Sequence, residues 1–288
     1  INLDVGNDFF VSYSPEREDP GNKNFSTKKI PKLVSGHTKN CTKISSIVYS
    51  SIIDQIVTMS SPRITEFTKL LENIHRSVNI GLINEMKLVA QKLNINIYEA
   101  IEAASTKPFG FTPYQPGPGV GGHCIPVDPY YLSWTAKRYK VKTQILDTAT
   151  KINNKMPQII FKKTLDFINK KNLESKNLKV LIIGVAYKKN IDDLRESPSL
   201  EIINLFENKK IRIDYIDPYV PKISIKSGKK SRTLHSVSMK KISEKKYDLG
   251  LILTAHDNVS HEKLCHHVKY IIDTRNSIDL KSENIIDL

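Results

Sequence analysis

Apolar residues recur at Ile64, Phe67, Leu71, Ile74, Val78, Leu82, Met86, Val89 and Leu93, in steps of three and four. That spacing marks one face of a single long amphipathic helix. Ser60, Ser61 and Pro62 supply its start, because a serine hydroxyl caps free N–H groups and proline suits the first turn. At about 1.5 Å per residue the helix runs roughly 45 Å, long enough for a spine between domains or a dimer seam. Lys69 and Asn73, four apart, share a face turned away from the stripe, and Arg76 extends it. From spacing alone that face reads as solvated.

On the N-terminal side, Asp8 to Ser14 (DFFVSYS) reads as a buried strand. A strand follows near Leu33 and Val34, then a helix over Ile44 to Ile53 and a short strand over Gln55 to Met59. This is the end of an α/β unit, and a chain that opens on an inner strand is expected to have lost something upstream. Beyond the long helix come helices over Ile97 to Ala104, Tyr130 to Arg138 and Met156 to Lys170. A second α/β domain then starts with a βαβ unit: Lys179 to Gly184, a helix over Pro198 to Phe206, and Ile211 to Ile216. Further strands are expected at Leu249 to Leu253 and Tyr270 to Asp273. Pro221 to Lys246 reads as a surface loop with one short element. The expected fold class is α/β, with domains at 1–60, 61–172 and 173–288.

Composition narrows this picture modestly. The chain has 288 residues, 39% of them hydrophobic and 26% charged, enough for about two ordinary domains. Three widely spaced cysteines, Cys41, Cys124 and Cys265, argue against a disulfide framework and for a reducing, cytoplasmic setting. No apolar run reaches the roughly 20 residues of a membrane span, so no membrane partner is expected. The net charge of +14 fits either attraction to a polyanion or lysine spread over solvated faces. The basic stretch from Lys222 to Lys246 lacks interleaved aromatics, so nucleic acid is not expected. A nucleotide diphosphate would still feel the field.

The candidate chemistry centres on Gly117 to Leu132 (GPGVGGHCIPVDPYYL). Glycines and prolines ahead of Cys124 demand turns and positive φ, so the thiol sits on a presented loop. A cysteine can equally serve as a small core hydrophobe, and that alternative stands beside the reactive one. Asp128, four residues on, is close enough to manage a proton or a water beside the sulfur. His123 adjoins Cys124, but adjacent side chains point apart, so a base would come from elsewhere. GVAYK at 184–188 follows a strand without the GxGxxG spacing and is a weak dinucleotide signal. His261, Cys265, His266 and His267 read as a helix surface in preference to a metal cluster, so no metal is expected.

Six ordered motifs carry a resemblance: YSPEREDPGNK at 13–23, TEFTKLLENIHRSVNIGLINE at 65–85, KPFGFTPYQPGPGVGGHCIPVDPYYL at 107–132, GVAYKKNIDDLRESPSLEI at 184–202, YIDPYVP at 215–221 and DTRN at 273–276. In these the chain resembles the nucleotide-sugar dehydrogenases (UDP-glucose/GDP-mannose dehydrogenase family), most closely the branch acting on UDP-N-acetylglucosamine and UDP-N-acetylmannosamine. The resemblance implies a remnant of an N-terminal Rossmann domain, a central helical dimerisation region, and a C-terminal Rossmann-like UDP-binding domain. It implies NAD as cofactor, a UDP-sugar substrate and a homodimer through the Ile64 to Leu93 helix. Cys124 would capture an aldehyde as a thiohemiacetal that is oxidised to a thioester. Lys69 and Asn73 would stabilise the oxyanion, Asp128 and Glu16 would assist with protons and water, and this overturns the solvated-face reading. Arg17, Phe109, Gly121, Lys188 and Arg275 would contact substrate, and Arg195 and Gly122 would face the cofactor. Val127 stands where some relatives carry a lysine.

The family's N-terminal glycine fingerprint for NAD, and the acidic residue for the adenosine ribose, are not found in the sequence. The resemblance therefore leaves three expectations. The chain is a fragment, a non-catalytic remnant that dimerises and binds UDP-sugar, or one half of a split enzyme whose NAD domain is a separate chain. On any of them it is not expected to turn over alone.

Overall fold

The computed structural model describes residues 2–19, 21–22, 25–173, 178–227, 230–280 and 282–287. The chain divides into two compact units, Ile1–His75 and Arg76–Leu288.

In the first unit a short edge strand β1 (Ser12–Tyr13) pairs antiparallel with β2 (Lys32–Gly36). Helix α1 (Lys39–Ser50) then returns the chain to β3 (Ile56–Thr58), which lies parallel to β2. The helix begins at Lys39, ahead of the expected Ile44, because the Thr38 hydroxyl accepts the Cys41 N–H and caps it. Asp8–Ser14 is not the buried strand its apolar run suggests. Only Ser12 and Tyr13 form a strand, on one edge, Phe9 makes no more than an isolated bridge to Val5, and Phe9, Phe10 and Val11 are exposed.

The long helix α2 (Pro62–Lys92) forms as expected, yet it is turned over relative to the usual amphipathic arrangement. Its apolar stripe, including Ile64, Phe67, Leu71, Leu82, Met86 and Val89, is exposed. Its polar face, Thr65, Asn73, Ser77, Asn84 and Lys87, is buried. The solvated-face reading therefore fails for Asn73, which is 6% exposed, and holds for Arg76.

Helix α3 (Ile97–Ser105) is capped by Asn96, whose Oδ1 accepts from the N–H groups of Tyr98 and Glu99. Helices α4 (Asp128–Arg138) and α5 (Gln144–Lys170) follow. The α5 helix was expected to start at Met156, but it runs straight through Pro157. Packing overrides the proline, which has no N–H for the carbonyl of Asn153.

The C-terminal sheet is parallel throughout. It consists of β4 (Val180–Ile183), β5 (Ile213–Ile216), β8 (Tyr247–Ile252), β9 (Val268–Asp273) and β10 (Ile285–Asp287), in the order β10-β9-β8-β4-β5. Helix α6 (Pro198–Asn208) links β4 to β5, and α7 (Met239–Lys245) and α8 (His261–Cys265) belong to the later crossovers. The central strand β4 (VLII) is an unbroken apolar run because both its faces are covered. One face buries Ile160, Phe161, Ile202 and Phe206, and the other buries Ile242, Val259 and Leu264.

Between β5 and α7, the expected loop is instead a hairpin of β6 (Lys222–Ser227) and β7 (Lys230–His235). Ile223 and Ile225 alternate inward there, a period of two masked by the surrounding lysines and serines. β10 is a further strand that the sequence reading did not anticipate. Strand order reverses between β4 and β8, and in open parallel sheets ligands bind beyond the carboxyl ends of the strands at such a point. Gly184 ends β4 there with φ of +78°, and any Cβ would stand 2.1 Å from the Thr254 carbonyl oxygen.

Candidate active site

Cys124 is exposed, on the loop that enters α4. Its carbonyl oxygen accepts the N–H groups of Val127 (3.1 Å) and Asp128 (2.8 Å), which fixes the thiol one turn ahead of the helix. Of the three cysteines it is Cys41, fully buried, that fits the role of a core hydrophobe. Asp128 is half-buried as the first residue of α4.

A relay of buried asparagines secures the loop's beginning. Asn84 Oδ1 accepts the Gly117 N–H at 2.9 Å, and its amide donates to Asn153 Oδ1 at 3.0 Å. Asn153 in turn donates to the Ser77 carbonyl. The polar face of α2 is buried because it carries this scaffolding.

The loop's middle rests on the segment after β4. The Gly122 N–H donates to the Arg195 carbonyl at 2.8 Å. At Gly121 a Cβ would lie 2.5 Å from Tyr187 Cβ and 2.8 Å from the Glu196 carbonyl oxygen, so only glycine lets the two segments close up. Arg275, at the carboxyl end of β9, packs its guanidinium against Gly117 and donates from Nε to the Leu253 carbonyl. Loss of hydration pulls its pKa below the ordinary value, opposed by Tyr98 and Asp273.

Arg195 is held bidentately by Asp193. The Asp193 hydrogen bond and charge raise the pKa of this exposed cation. Lys188 is half-buried on the same segment. Phe109 is exposed on the loop after α3, with the Lys107 ammonium 5.0 Å above its ring. A cavity of about 480 Å³ flanks the cysteine loop, lined by Val120, Val127, Tyr130, Asn153, Glu196 and Glu201 among others.

The remaining predicted residues belong to the first unit. Glu16 is exposed, and its carboxylate accepts the Arg17 and Glu18 N–H groups. The Arg17 guanidinium bridges the Pro31 carbonyl and Glu72. Lys69 is half-buried and Asn73 buried, both on α2. Among the described residues no group of three or more His, Cys, Asp or Glu side chains gathers as a metal site. No described helix is long and apolar enough to cross a membrane.

Residues 63–155 match the UDP-glucose/GDP-mannose dehydrogenase family, central domain, and residues 181–280 match the UDP binding domain of the same family. The chain belongs to the UDP-glucose/GDP-mannose dehydrogenase family. It is 39% identical over 202 residues to Protein CapL of Staphylococcus aureus, covering 70% of this chain and 47% of that protein. It is 33% identical over 219 residues to UDP-N-acetyl-D-glucosamine 6-dehydrogenase of Pseudomonas aeruginosa, covering 76% and 51%. The structure of a UDP-D-ManNAc dehydrogenase from Pyrococcus horikoshii superposes with a TM-score of 0.82 at 32% identity, covering 97% of this chain and 64% of that one. The chain thus spans about half the length of the curated relatives it matches.

For this member of the family, the sequence reading missed Asn84, Asn153 and Tyr187 as supports of the cysteine loop. The signal for Asn84 was its position on the polar face of α2. Nothing in the linear spacing could have paired Tyr187 with Gly121.

Proposed function

We propose that the protein oxidises the primary alcohol of a UDP-N-acetylhexosamine to the uronic acid, with Cys124 as the nucleophile, to supply precursors of cell-surface polysaccharide. The observation that carries this reading is an exposed thiol on a glycine loop whose floor is built from Tyr187, Glu196 and Arg275 of the domain matched as UDP-binding. The names of similar proteins, dehydrogenases of UDP-N-acetylated sugars, support the substrate class.

The chemistry assigns a task to each group. The Cys124 thiolate adds to the aldehyde carbon formed from the alcohol, and the resulting thiohemiacetal loses a hydride to become a thioester. Water adds to the thioester carbon, the C–S bond breaks, and carboxylate and thiol separate. Asp128 takes the protons of the thiol and the attacking water. Lys69 and Asn73 offer an ammonium and an amide to the oxyanion, contributions typically worth several kcal/mol of barrier, on the order of 3 each. Glu16 serves the water. Phe109, Gly121, Lys188 and Arg275 contact the UDP-sugar, the two cations facing its diphosphate.

NAD, when bound, supplies the two hydride acceptances that alcohol-to-acid oxidation requires. On this chain the exposed Arg195 guanidinium, with Gly122 beside it, fits an anionic or carbonyl group of such a dinucleotide. The exposed apolar stripe of α2 supports a homodimer through that helix.

The test is protection of the thiol. Iodoacetamide should modify Cys124 first among the three cysteines, and saturating UDP-N-acetylglucosamine or UDP-N-acetylmannosamine should slow that modification about tenfold or more. Equal rates with and without bound UDP-sugar would sink the assignment of Cys124.

A further inference from the structure

Asp217 and His256 form a fully buried pair at the carboxyl edge of the C-terminal sheet, with an Nε2 to Oδ2 distance of 2.9 Å. Neither belongs to the chemistry above. Asp217 ends β5, and His256 follows β8. The Asp217 carboxylate also accepts four backbone N–H groups. Those of Val185 (2.8 Å) and Ala186 (3.2 Å) reach Oδ2, and those of Tyr219 (2.9 Å) and Val220 (3.1 Å) reach Oδ1. His256 extends the network from its other nitrogen, where Nδ1 accepts the Asn190 N–H at 2.9 Å. Nδ1 is therefore the bare nitrogen, and the ring proton sits on Nε2 and points at Asp217. The Tyr219 ring lies over the imidazole, 5.1 Å between centroids.

A buried carboxylate taking five donors is costly to desolvate and expensive to disturb, and two apolar residues would cover the same space. What the pair achieves is geometric. It pins both ends of the turn 185–190, which leaves β4 at the point where strand order reverses. That turn carries Lys188, and it carries Tyr187, on which Gly121 and Gly122 of the cysteine loop rest. Thr254 strengthens the same clamp by donating from Oγ1 to the Ala186 carbonyl at 2.6 Å.

We propose that Asp217 and His256 are positioning residues: a buried staple that holds the turn after β4 so that the nucleotide-facing Lys188 and the seat of the Cys124 loop are set together. The role rests on the reading of this edge as the UDP-sugar site. The staple itself is a statement about backbone order and can be judged without it.

The experiment uses the full chain and His256→Gln, whose amide nitrogen overlays Nε2 and can still donate to Asp217 but places no acceptor at the Nδ1 position that faces Asn190. Hydrogen exchange resolved to segments, UDP affinity by calorimetry and the thermal midpoint are compared. The variant is expected to melt within a few degrees of wild type, with amides over 185–190 and at Gly122 exchanging about tenfold faster and UDP binding weakened about tenfold, one lost hydrogen bond's worth. Exchange across β9 should not change. His256→Asn, which keeps an acceptor for Asn190, should restore much of the protection over 185–190, which a merely space-filling role would not predict. Wild-type exchange over 185–190 and at Gly122 in His256→Gln would overturn the proposal, as would faster exchange spread evenly into β9. If UDP binds neither protein, the reading of the site fails while the exchange data still decide the staple.

Discussion

The buried polar side chains near the cysteine loop decide more than their sequence spacing suggested. Asn84 answers one backbone N–H of that loop, and replacing it with alanine removes the acceptor of the Gly117 N–H and the donor to Asn153 Oδ1 in a buried setting. Asn84→Ala should lower stability by about 1–3 kcal/mol, read as a fall in the urea midpoint. Gly121→Ala should cost about as much, because Tyr187 and the Glu196 carbonyl are too close to accept a methyl group. Asp217 makes a pH prediction. Burial pushes its carboxyl up, but the His256 and backbone hydrogen bonds outweigh that and hold it below the usual carboxylate range. A carboxyl lowered in the folded state contributes stability above its unfolded value, roughly pH 4, and loses it as pH falls toward the native one. Unfolding midpoints measured from pH 6 down to pH 3 should fall in the wild type and respond less in Asp217→Asn. The sequence made Cys124 and Asp128 visible, since glycine-rich turns announce a presented residue. It hid Tyr187 and His256, because their roles depend on which strand ends are neighbours.

At the scale of elements, α2 is the instructive case. Its period of three to four and its Ser-Ser-Pro start located it well, and its end at Lys92 fits the last apolar position at Leu93. Which face turns inward was not legible. Periodicity reports that two faces differ, and here the buried one is polar because asparagines and Lys87 bridge to other segments, as in the 2.8 Å contact of Lys87 Nζ with the Tyr98 hydroxyl. The exposed stripe leads to a prediction about assembly. Leu82→Lys should shift the protein toward monomer in sedimentation velocity while leaving its circular dichroism unchanged, and a monomeric wild type would remove the basis for a dimer through α2. The hairpin β6–β7 was missed for a compositional reason, since lysine and serine outside dominate the count while Ile223 and Ile225 point in. The α5 start was missed because Pro157 looked like a boundary, and burial along that helix outweighs its local cost.

For the whole molecule, the parallel C-terminal sheet and the cysteine loop carry the functional reading together. The sheet was legible as alternating strand and helix patterns, and its order, with the reversal between β4 and β8, was not, because strand adjacency is a long-range property. That reversal collects Lys188, Arg275 and the floor of the Cys124 loop at one edge. The most direct measurement is calorimetric titration of the protein and of its Cys124→Ser and Arg275→Ala variants with UDP-N-acetylglucosamine, UDP-N-acetylmannosamine and UDP-glucose. The account predicts that one of the two acetamido sugars binds at least about tenfold more tightly than UDP-glucose, that Cys124→Ser retains this affinity, and that Arg275→Ala loses most of it. Comparably weak heats for all three nucleotides, indifferent to Arg275, would contradict it.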